Sequence, residues 1–205
     1  MISYTVAHNP DERILKKAVE CLDRGELVVF PTDTNWQLVC NPFKTSAVEK
    51  LYRLKSENIH KHFSFLCPSI SKASQIADID SLAYKQLKKL IPGNFTFIFN
   101  AKKKVQKAIK ASKTDHEVGI RFSPAVFTNN FLNYYDDFLL STNLTNEMLS
   151  LDDGDDIYGI LIEENLGHLI SMIIDPGIDY EFEISTIVSY LEGIPKVIRE
   201  GAGIF

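Results

Sequence analysis

The stretch Leu27-Val28-Val29-Phe30-Pro31-Thr32-Asp33-Thr34 decides how the rest of the chain is read. Four apolar residues make a short buried strand, which runs into Pro31 and then into three small oxygen-bearing side chains. The end of such a strand is where open α/β sheets place ligand-binding groups. Hydroxyls both donate and accept hydrogen bonds, so Thr32 and Thr34 can hold a carboxylate, an amine or a phosphate. Thr and Asp are also ordinary turn and cap residues, and the stretch alone does not choose between the two.

Upstream, Asn9-Pro10-Asp11-Glu12 opens a helix whose apolar residues Ile14, Leu15, Ala18, Val19 and Leu22 recur at helical spacing until Gly25 stops it. Downstream, Trp36 to Cys40 reads as a second strand. Ser46 is the expected cap of a helix, with Glu49 at capping-box spacing, and that helix ends near Lys55. Residues 56–62 read as polar loop, Phe63 to Cys67 as strand, Ile76 to Leu90 as helix, and Phe95 to Phe99 as strand after the turn Pro92-Gly93-Asn94. Val118 to Phe122 is a strand containing Arg121, and a helix follows over 125–134. Phe138 to Ser141 is a strand leading into Thr142-Asn143. Met172 to Asp175, Thr186 to Tyr190 and Lys196 to Arg199 are later strands. Several strands follow one another with no helix between them. The expected fold is therefore α/β, a twisted mixed sheet with flanking helices, and the expected organisation is one domain over 1–205.

The net charge of -5 hides an asymmetry. Residues 1–125 hold 20 Lys and Arg against 12 Asp and Glu, whereas residues 126–205 hold 2 against 15. An anionic partner is drawn to the first part and repelled by the last, unless the two sets simply complement each other across the surface. Lys102, Lys103, Lys104, Lys107, Lys110 and Lys113 form a lysine run. The start of the chain lacks the basic head and long apolar run of a signal peptide, and no run approaches the ~20 apolar residues that span a bilayer, so a cytoplasmic protein with no membrane partner is expected. Three cysteines without paired spacing imply no disulfide framework. Cys40 and Cys67 sit in apolar strands, where an inert buried thiol is the ordinary outcome. His60-x-His62 with Cys67 lacks the paired spacing of a zinc site, and no metal site is expected.

Neither a GxxxxGK[ST] nor a GxGxxG loop is present, so cationic side chains must do much of any nucleotide binding. Lys55 closes an amphipathic helix and Lys61 follows in the next loop. Ser141 and Asn143 close an apolar strand. Together with Thr32 and Thr34 they predict a polar, cation-assisted pocket for a small anionic ligand.

These pieces, in this order, resemble the YrdC/YciO family, which includes threonylcarbamoyl-AMP synthases. The resemblance runs from about residue 12 to 201. It is carried by Gly25 to Thr34, Ala47 to Lys55, Pro92-Gly93-Asn94-Phe95-Thr96, Gly119-Ile120-Arg121, Ser141-Thr142-Asn143-Leu144-Thr145, Ser185-Thr186-Ile187-Val188 and Val197-Ile198-Arg199-Glu200-Gly201. Pro92 to Ile98 and Ser141 to Leu144 look more like the YciO branch. The resemblance implies a YrdC-like sheet with a concave basic face. It also implies a reaction: L-threonine, bicarbonate and ATP, with Mg2+, give threonylcarbamoyl-AMP and pyrophosphate for tRNA modification. It implies double-stranded RNA or tRNA as a further partner. On that resemblance Thr32, Thr34, Arg121 and Thr96 bind the amino acid. Lys55, Lys61, Ser141 and Asn143 carry the catalysis, and Lys55, Ser141, Asn143, Ser185 and Arg199 hold the nucleotide.

Two departures stand out. The family's K-x-R reads Lys55-Ser56-Glu57 here, which puts an acid where a forked, permanent cation belongs. A unit charge pair at ~4 Å and an effective dielectric near 20 is worth about 4 kcal/mol, so even a fraction of that weakens nucleotide binding. Lys61 and Arg53 are the nearby cations that could compensate. Asn35-Trp36-Gln37-Leu38 replaces a stretch that is usually Gly-rich, and Trp36 is expected to narrow the amino-acid slot or stack on a ligand ring. The main reading is a synthase-like nucleotidyltransferase, and the alternative is a YciO-like RNA-binding, translation-associated protein without synthase activity.

Overall fold

The computed structural model describes residues 1–55, 63–106, 116–177 and 182–205. Its strands are β1 (Ile2–Tyr4), β2 (Val28–Pro31), β3 (Trp36–Cys40), β4 (Ser64–Leu66), β5 (Phe95–Asn100), β6 (Glu117–Arg121), β7 (Leu139–Asn143), β8 (Met172–Asp175), β9 (Thr186–Ser189) and β10 (Lys196–Arg199). They form one mixed sheet in the order β1-β8-β2-β3-β7-β4-β6-β5-β9-β10. The helices are α1 (Glu12–Asp23), α2 (Thr45–Leu54), α3 (Ile70–Ala73), α4 (Ser81–Leu90), α5 (Lys103–Gln106), α6 (Val126–Tyr135) and α7 (Gly159–Leu166). The mixed, twisted α/β architecture is the one expected from the pattern of elements.

Side chains of successive strand residues point to opposite faces, and the two faces have different fates. On one face Val29, Leu38, Cys40, Phe65, Phe97, Phe99, Ile120, Leu140 and Val188 join residues of α2, α4 and α7 in one large core. On the other, Val28, Phe30, Val39, Leu66, Leu139, Met172 and Ile174 pack with α1 and α6. Phe30 anchors α6, with its ring edge-on to Phe127 at 5.6 Å and Phe131 at 5.3 Å. Both helices cover only part of this second face. Beyond them the same face carries Gln37, Asn143, Ser141, Ser64, Gly119, Arg121 and Thr96, and it is this polar strip that the site occupies.

Four local expectations need correction. Ser46 does not cap α2: the helix starts at Thr45, with Lys44 as its cap and no side-chain capping bond. Ser46 Oγ instead stands 3.1 Å from where a Cβ on Gly25 would sit, and Gly25 has φ +76°, so a larger residue there is both strained and crowded. The helix expected over 76–90 begins at Ser81. Residues 76–80 are tied to the end of β5, with Asp78 N–H donating to Asn100 O at 2.9 Å, and Asp80 then caps α4 by accepting from Ala83 N–H at 2.8 Å. The strand expected to stop at Ser141 continues through Asn143, because Gln37 and Asn143 are paired in the β3–β7 ladder. Trp36 neither narrows a ligand slot nor stacks on one. Its indole is buried in the larger core, beside Gly159, and donates Nε1–H to Ile157 O at 2.8 Å.

Candidate functional site

The strip is built from the turn after β2. Thr32 N–H and Thr32 Oγ1 both donate to Asn35 O at 2.9 Å, which folds the turn back on itself. Thr32 Oγ1 and Thr34 Oγ1 lie 3.3 Å apart, and both residues are buried. Arg121 reaches this turn from the end of β6. Its Nη1 donates to Thr34 Oγ1 at 2.7 Å and its Nη2 to Asp33 Oδ2 at 2.7 Å. Ser123 Oγ donates to the other carboxylate oxygen, Asp33 Oδ1, at 2.5 Å. The Asp33–Arg121 pair is nearly dry, with side-chain exposures of 7% and 4%. Burial pushes the guanidinium below its ordinary value; Asp33 opposes that shift and Arg199 adds to it. Arg121 Nε is buried and has no partner among the described residues. A buried arginine with an unused N–H is a ready donor to one more anionic oxygen.

The floor is a row of small residues. Ser141 Oγ donates to Ser64 O at 3.0 Å and lies 3.3 Å from Ser64 Oγ. A Cβ on Gly119 would sit 3.5 Å from both Ser64 Cβ and Thr96 Cγ2, so Gly119 lies between them without filling the space. Thr96 Oγ1 and Ser185 Oγ are 2.8 Å apart. Arg199 closes the far end, donating from Nη2 to Ser185 O at 2.6 Å and to Ser185 Oγ at 3.2 Å. Its position depends on the chain just after it. A Cβ on Gly201 would fall 2.3 Å from Ile184 O, an approach only glycine allows. At the opposite end Gln37 Nε2 donates to Asn143 Oδ1. Gln37 is 1% exposed, and its Oε1 has no partner among the described residues.

The structure thus brings Thr32, Thr34, Arg121, Thr96, Ser141, Asn143, Ser185 and Arg199 to one face. It does not bring Lys55 there. Lys55 Nζ donates to Thr142 Oγ1 at 2.6 Å and lies 4.9 Å from the Phe63 ring centroid. Thr142 stands between Ser141 and Asn143 in β7, so it projects to the opposite face, the one packed by α2. Lys61, His60, His62 and Glu57 lie outside the described residues. Arg53, a candidate compensating cation, lines with Lys50, Leu54, His168 and Leu169 a cleft of about 380 Å3 that neither Ser141 nor Asn143 lines. A larger cleft of about 680 Å3 lies beyond β4 and β6, against Ser69, Tyr84, Lys88, Pro92, Phe122 and Asn129, and none of the binding or catalytic candidates named from the sequence lines it.

Asp33, Ser123, Ser64 and Gln37 are members of the strip that sequence reasoning did not assign a role. Asp33 carries a visible signal, an acid between two hydroxyls at a strand end. The other three reach the site through sheet register and a crossing loop, which the local pattern does not encode. Cys40 and Cys67 are free, buried thiols; burial pushes Cys40 up to about 12 and Cys67 well above its ordinary value, so neither is a ready nucleophile. Among the described residues no group of three His, Cys, Asp or Glu side chains is gathered closely enough for a metal ion, and no helix is long and apolar enough to cross a membrane.

Comparison with known proteins agrees with this architecture. The uncharacterized protein YciO of Escherichia coli is 27% identical over 200 residues, covering 98% of this chain and 95% of its own. Its crystal structure superposes with a TM-score of 0.86 at 25% identity, over 100% of this chain and 97% of that one. A threonylcarbamoyl-AMP synthase of Wigglesworthia glossinidia brevipalpis is 33% identical over 108 residues, which is 51% of this chain and 55% of the synthase. The crystal structure of P. abyssi Sua5 complexed with L-threonine shares the fold, with a TM-score of 0.82 at 20% identity over 98% of this chain and 57% of that one. The family profile covering Sua5, YciO and YrdC proteins, described as telomere recombination, matches residues 20–201, and the chain belongs to that family.

Proposed function

We propose that this protein is a YciO-like phosphate-binding member of its family, acting on RNA, and that it does not make threonylcarbamoyl-AMP at a synthase's rate. One observation carries the reading: the Lys55 ammonium donates to Thr142, on the opposite face of β7 from Ser141 and Asn143. Phosphoryl chemistry of this kind is positioning plus charge stabilisation, so a cation on the wrong side of the sheet removes the main catalytic term. The sequence Lys55-Ser56-Glu57 works in the same direction by replacing the second cation of the motif with an acid. Likeness to YciO over nearly the full length, against likeness to the synthases over about half, supports the same choice. RNA would be met by the lysine run, of which Lys102, Lys103 and Lys104 lie on or beside α5.

A second reading keeps synthase chemistry, and the intact half of the strip favours it. Thr32, Thr34 and Arg121 form a preorganised cradle for an amino acid, and Ser141, Ser185 and Arg199 line the path a nucleotide would take. ATP would arrive as its magnesium complex, with Lys55 swinging over the strand end to meet it.

Pyrophosphate release from ATP decides between them. With ATP, magnesium, L-threonine and bicarbonate present, the expected rate is the same with and without threonine. Threonine-dependent release that Lys55→Ala abolishes would establish the second reading and end the first.

A further inference from the structure

Strands β4 and β6 lie side by side and parallel, with Phe65 opposite Ile120. The chain leaves their ends toward opposite faces of the sheet. After β4 it turns through Pro68 and Ser69 into α3 and then α4, whose buried Ala73, Ala83 and Leu87 join the larger core. After β6 it turns through Phe122 and Ser123 into α6, whose Phe127 and Phe131 pack on the other face. Where neighbouring parallel strands part in this way, a crevice opens beyond their carboxyl ends, and open α/β sheets bind ligands in such crevices. The cleft of about 680 Å3 is that crevice, and its size is that of a small-molecule site.

Its walls are tied in place. Gly93 N–H donates to Phe122 O at 3.0 Å, Cys67 N–H to Arg121 O at 2.9 Å, and Asn129 Nδ2 to Ser123 O at 2.8 Å. The inner surface is apolar, with Ile70, Ile79 and Ile91 packed against the larger core and Phe122 buried. Two of its hydroxyls serve the local backbone: Ser69 Oγ accepts from Lys72 N–H at 3.2 Å, and Ser74 Oγ donates to Ser71 O at 2.8 Å. Among the described residues that line the cleft, Lys88 carries the single charge. It forms no ion pair among the described residues, and its ammonium stands 5.9 Å from the Tyr84 ring centroid. Asp78 and Asp80 flank Ile79 in sequence but do not line the cleft: Asp78 Oδ1 lies 3.9 Å from Lys102 Nζ, and Asp80 accepts from Ala83 N–H.

The geometry points to a second ligand site in this crevice, one that takes a small organic monoanion with an apolar, ring-bearing body. The body lies against Ile70, Ile79, Ile91 and Phe122, and the anionic head meets Lys88 beside Tyr84. One ammonium balances one negative charge. A polyphosphate would leave its remaining charges over apolar walls without partners, so the cleft disfavours nucleotides. The cleft shares no lining residue with the arginine-lined strip, and this inference goes beyond the RNA reading and does not depend on it.

Two probes with the same ring skeleton test it: 8-anilino-1-naphthalenesulfonate, which carries one sulfonate, and N-phenyl-1-naphthylamine, which lacks it. Amide shifts of the 15N-labelled chain locate the sulfonate probe, and its fluorescence gives the affinities. The expected result is saturable binding that moves the amides of Ser69 to Ser74, Lys88 and Phe122. Lys88→Glu, with an unchanged thermal melt, should weaken the sulfonate probe by roughly tenfold and leave the neutral one within about twofold. Lys88→Gln should weaken the sulfonate probe by roughly threefold and keeps the test open if Lys88→Glu does not fold. The proposal is overturned if the shifts centre on other residues or binding does not saturate. It is overturned equally if the neutral probe binds the unmodified chain as tightly as the sulfonate, or if neither folded Lys88 variant weakens the sulfonate probe.

Discussion

Asp33 and Arg121 show how much a single buried charge pair organises. The guanidinium is 4% exposed, and its counter-charge is one carboxylate, itself pinned by Ser123. Removing one partner of such a pair strands the other in a medium that cannot solvate it, at a cost of roughly 3–5 kcal/mol. Asp33→Ala should therefore lower the free energy of urea unfolding by about that amount. Ser123→Ala, which removes the hydrogen bonds to Asp33 and from Ala125 N–H but leaves the ion pair, should cost less, about 1–3 kcal/mol. A loss below about 1 kcal/mol for Asp33→Ala would mean that water reaches Arg121, and the dry cradle argued for above would not exist. The acid that matters here is in plain view in the sequence, between two threonines whose hydroxyls draw the attention. Its partner was also visible as a lone arginine in an apolar strand. Their pairing was not, because 88 residues of chain separate them and nothing local encodes the meeting.

Elements were legible where periodicity and a stop signal coincide. Helix α1 has both, with Asp11 accepting from Arg13 N–H at 2.9 Å to start it and Gly25 turning the chain into β2. Helix α7 went unseen because its sequence is apolar on several sides and lacks a side-chain cap, and β1 because three edge residues carry no pattern. The stretch over 76–90 misled because its apolar residues continue in helical rhythm through a segment that the end of β5 holds extended. The α1–β2 turn also carries a titratable clasp. Arg24 donates from Nε and Nη2 to the two oxygens of Glu26, both at 3.0 Å, and this bond holds the Glu26 carboxyl at about 2 against the partial opposition of burial. A carboxyl lowered on folding stabilises the native state fully above its unfolded value of 4.5 and loses that contribution as pH falls toward 2. Because Arg24 is more than half exposed, solvent screens the pair and the effect is modest. Thermal melts of the unmodified chain and Glu26→Gln should differ most above pH 4.5 and converge near pH 2. A gap that stays constant across that range would assign the difference to packing instead.

At the scale of the whole molecule the charge division becomes a question of what the basic part meets. Lys72 Nζ lies 3.3 Å from Asp136 Oδ1, Lys102 Nζ lies 3.9 Å from Asp78 Oδ1, and Lys104 Nζ lies 5.4 Å from the ring centroids of both Phe43 and Phe138. Lys72 and Lys102 thus carry acidic partners and Lys104 two aromatic rings, but surface ion pairs are worth roughly 0–1 kcal/mol each, and a phosphate backbone competes with them. The carboxylates of α7 belong to the other end of the sheet order, beside β8 and β1. RNA bound here would release counterions, and the logarithm of its affinity would fall linearly with the logarithm of salt, by roughly 0.7–0.9 per phosphate contact. Reversing Lys102, Lys103 and Lys104 together to Glu should make that slope shallower by roughly 2–3 and weaken retention at low salt. Filter binding of a short RNA duplex across a salt series measures both quantities. A triple variant that keeps the original slope, with its circular dichroism unchanged, would remove this corner from any RNA contact. It would also leave the arginine-lined strip as the part of the protein that has to account for phosphate binding.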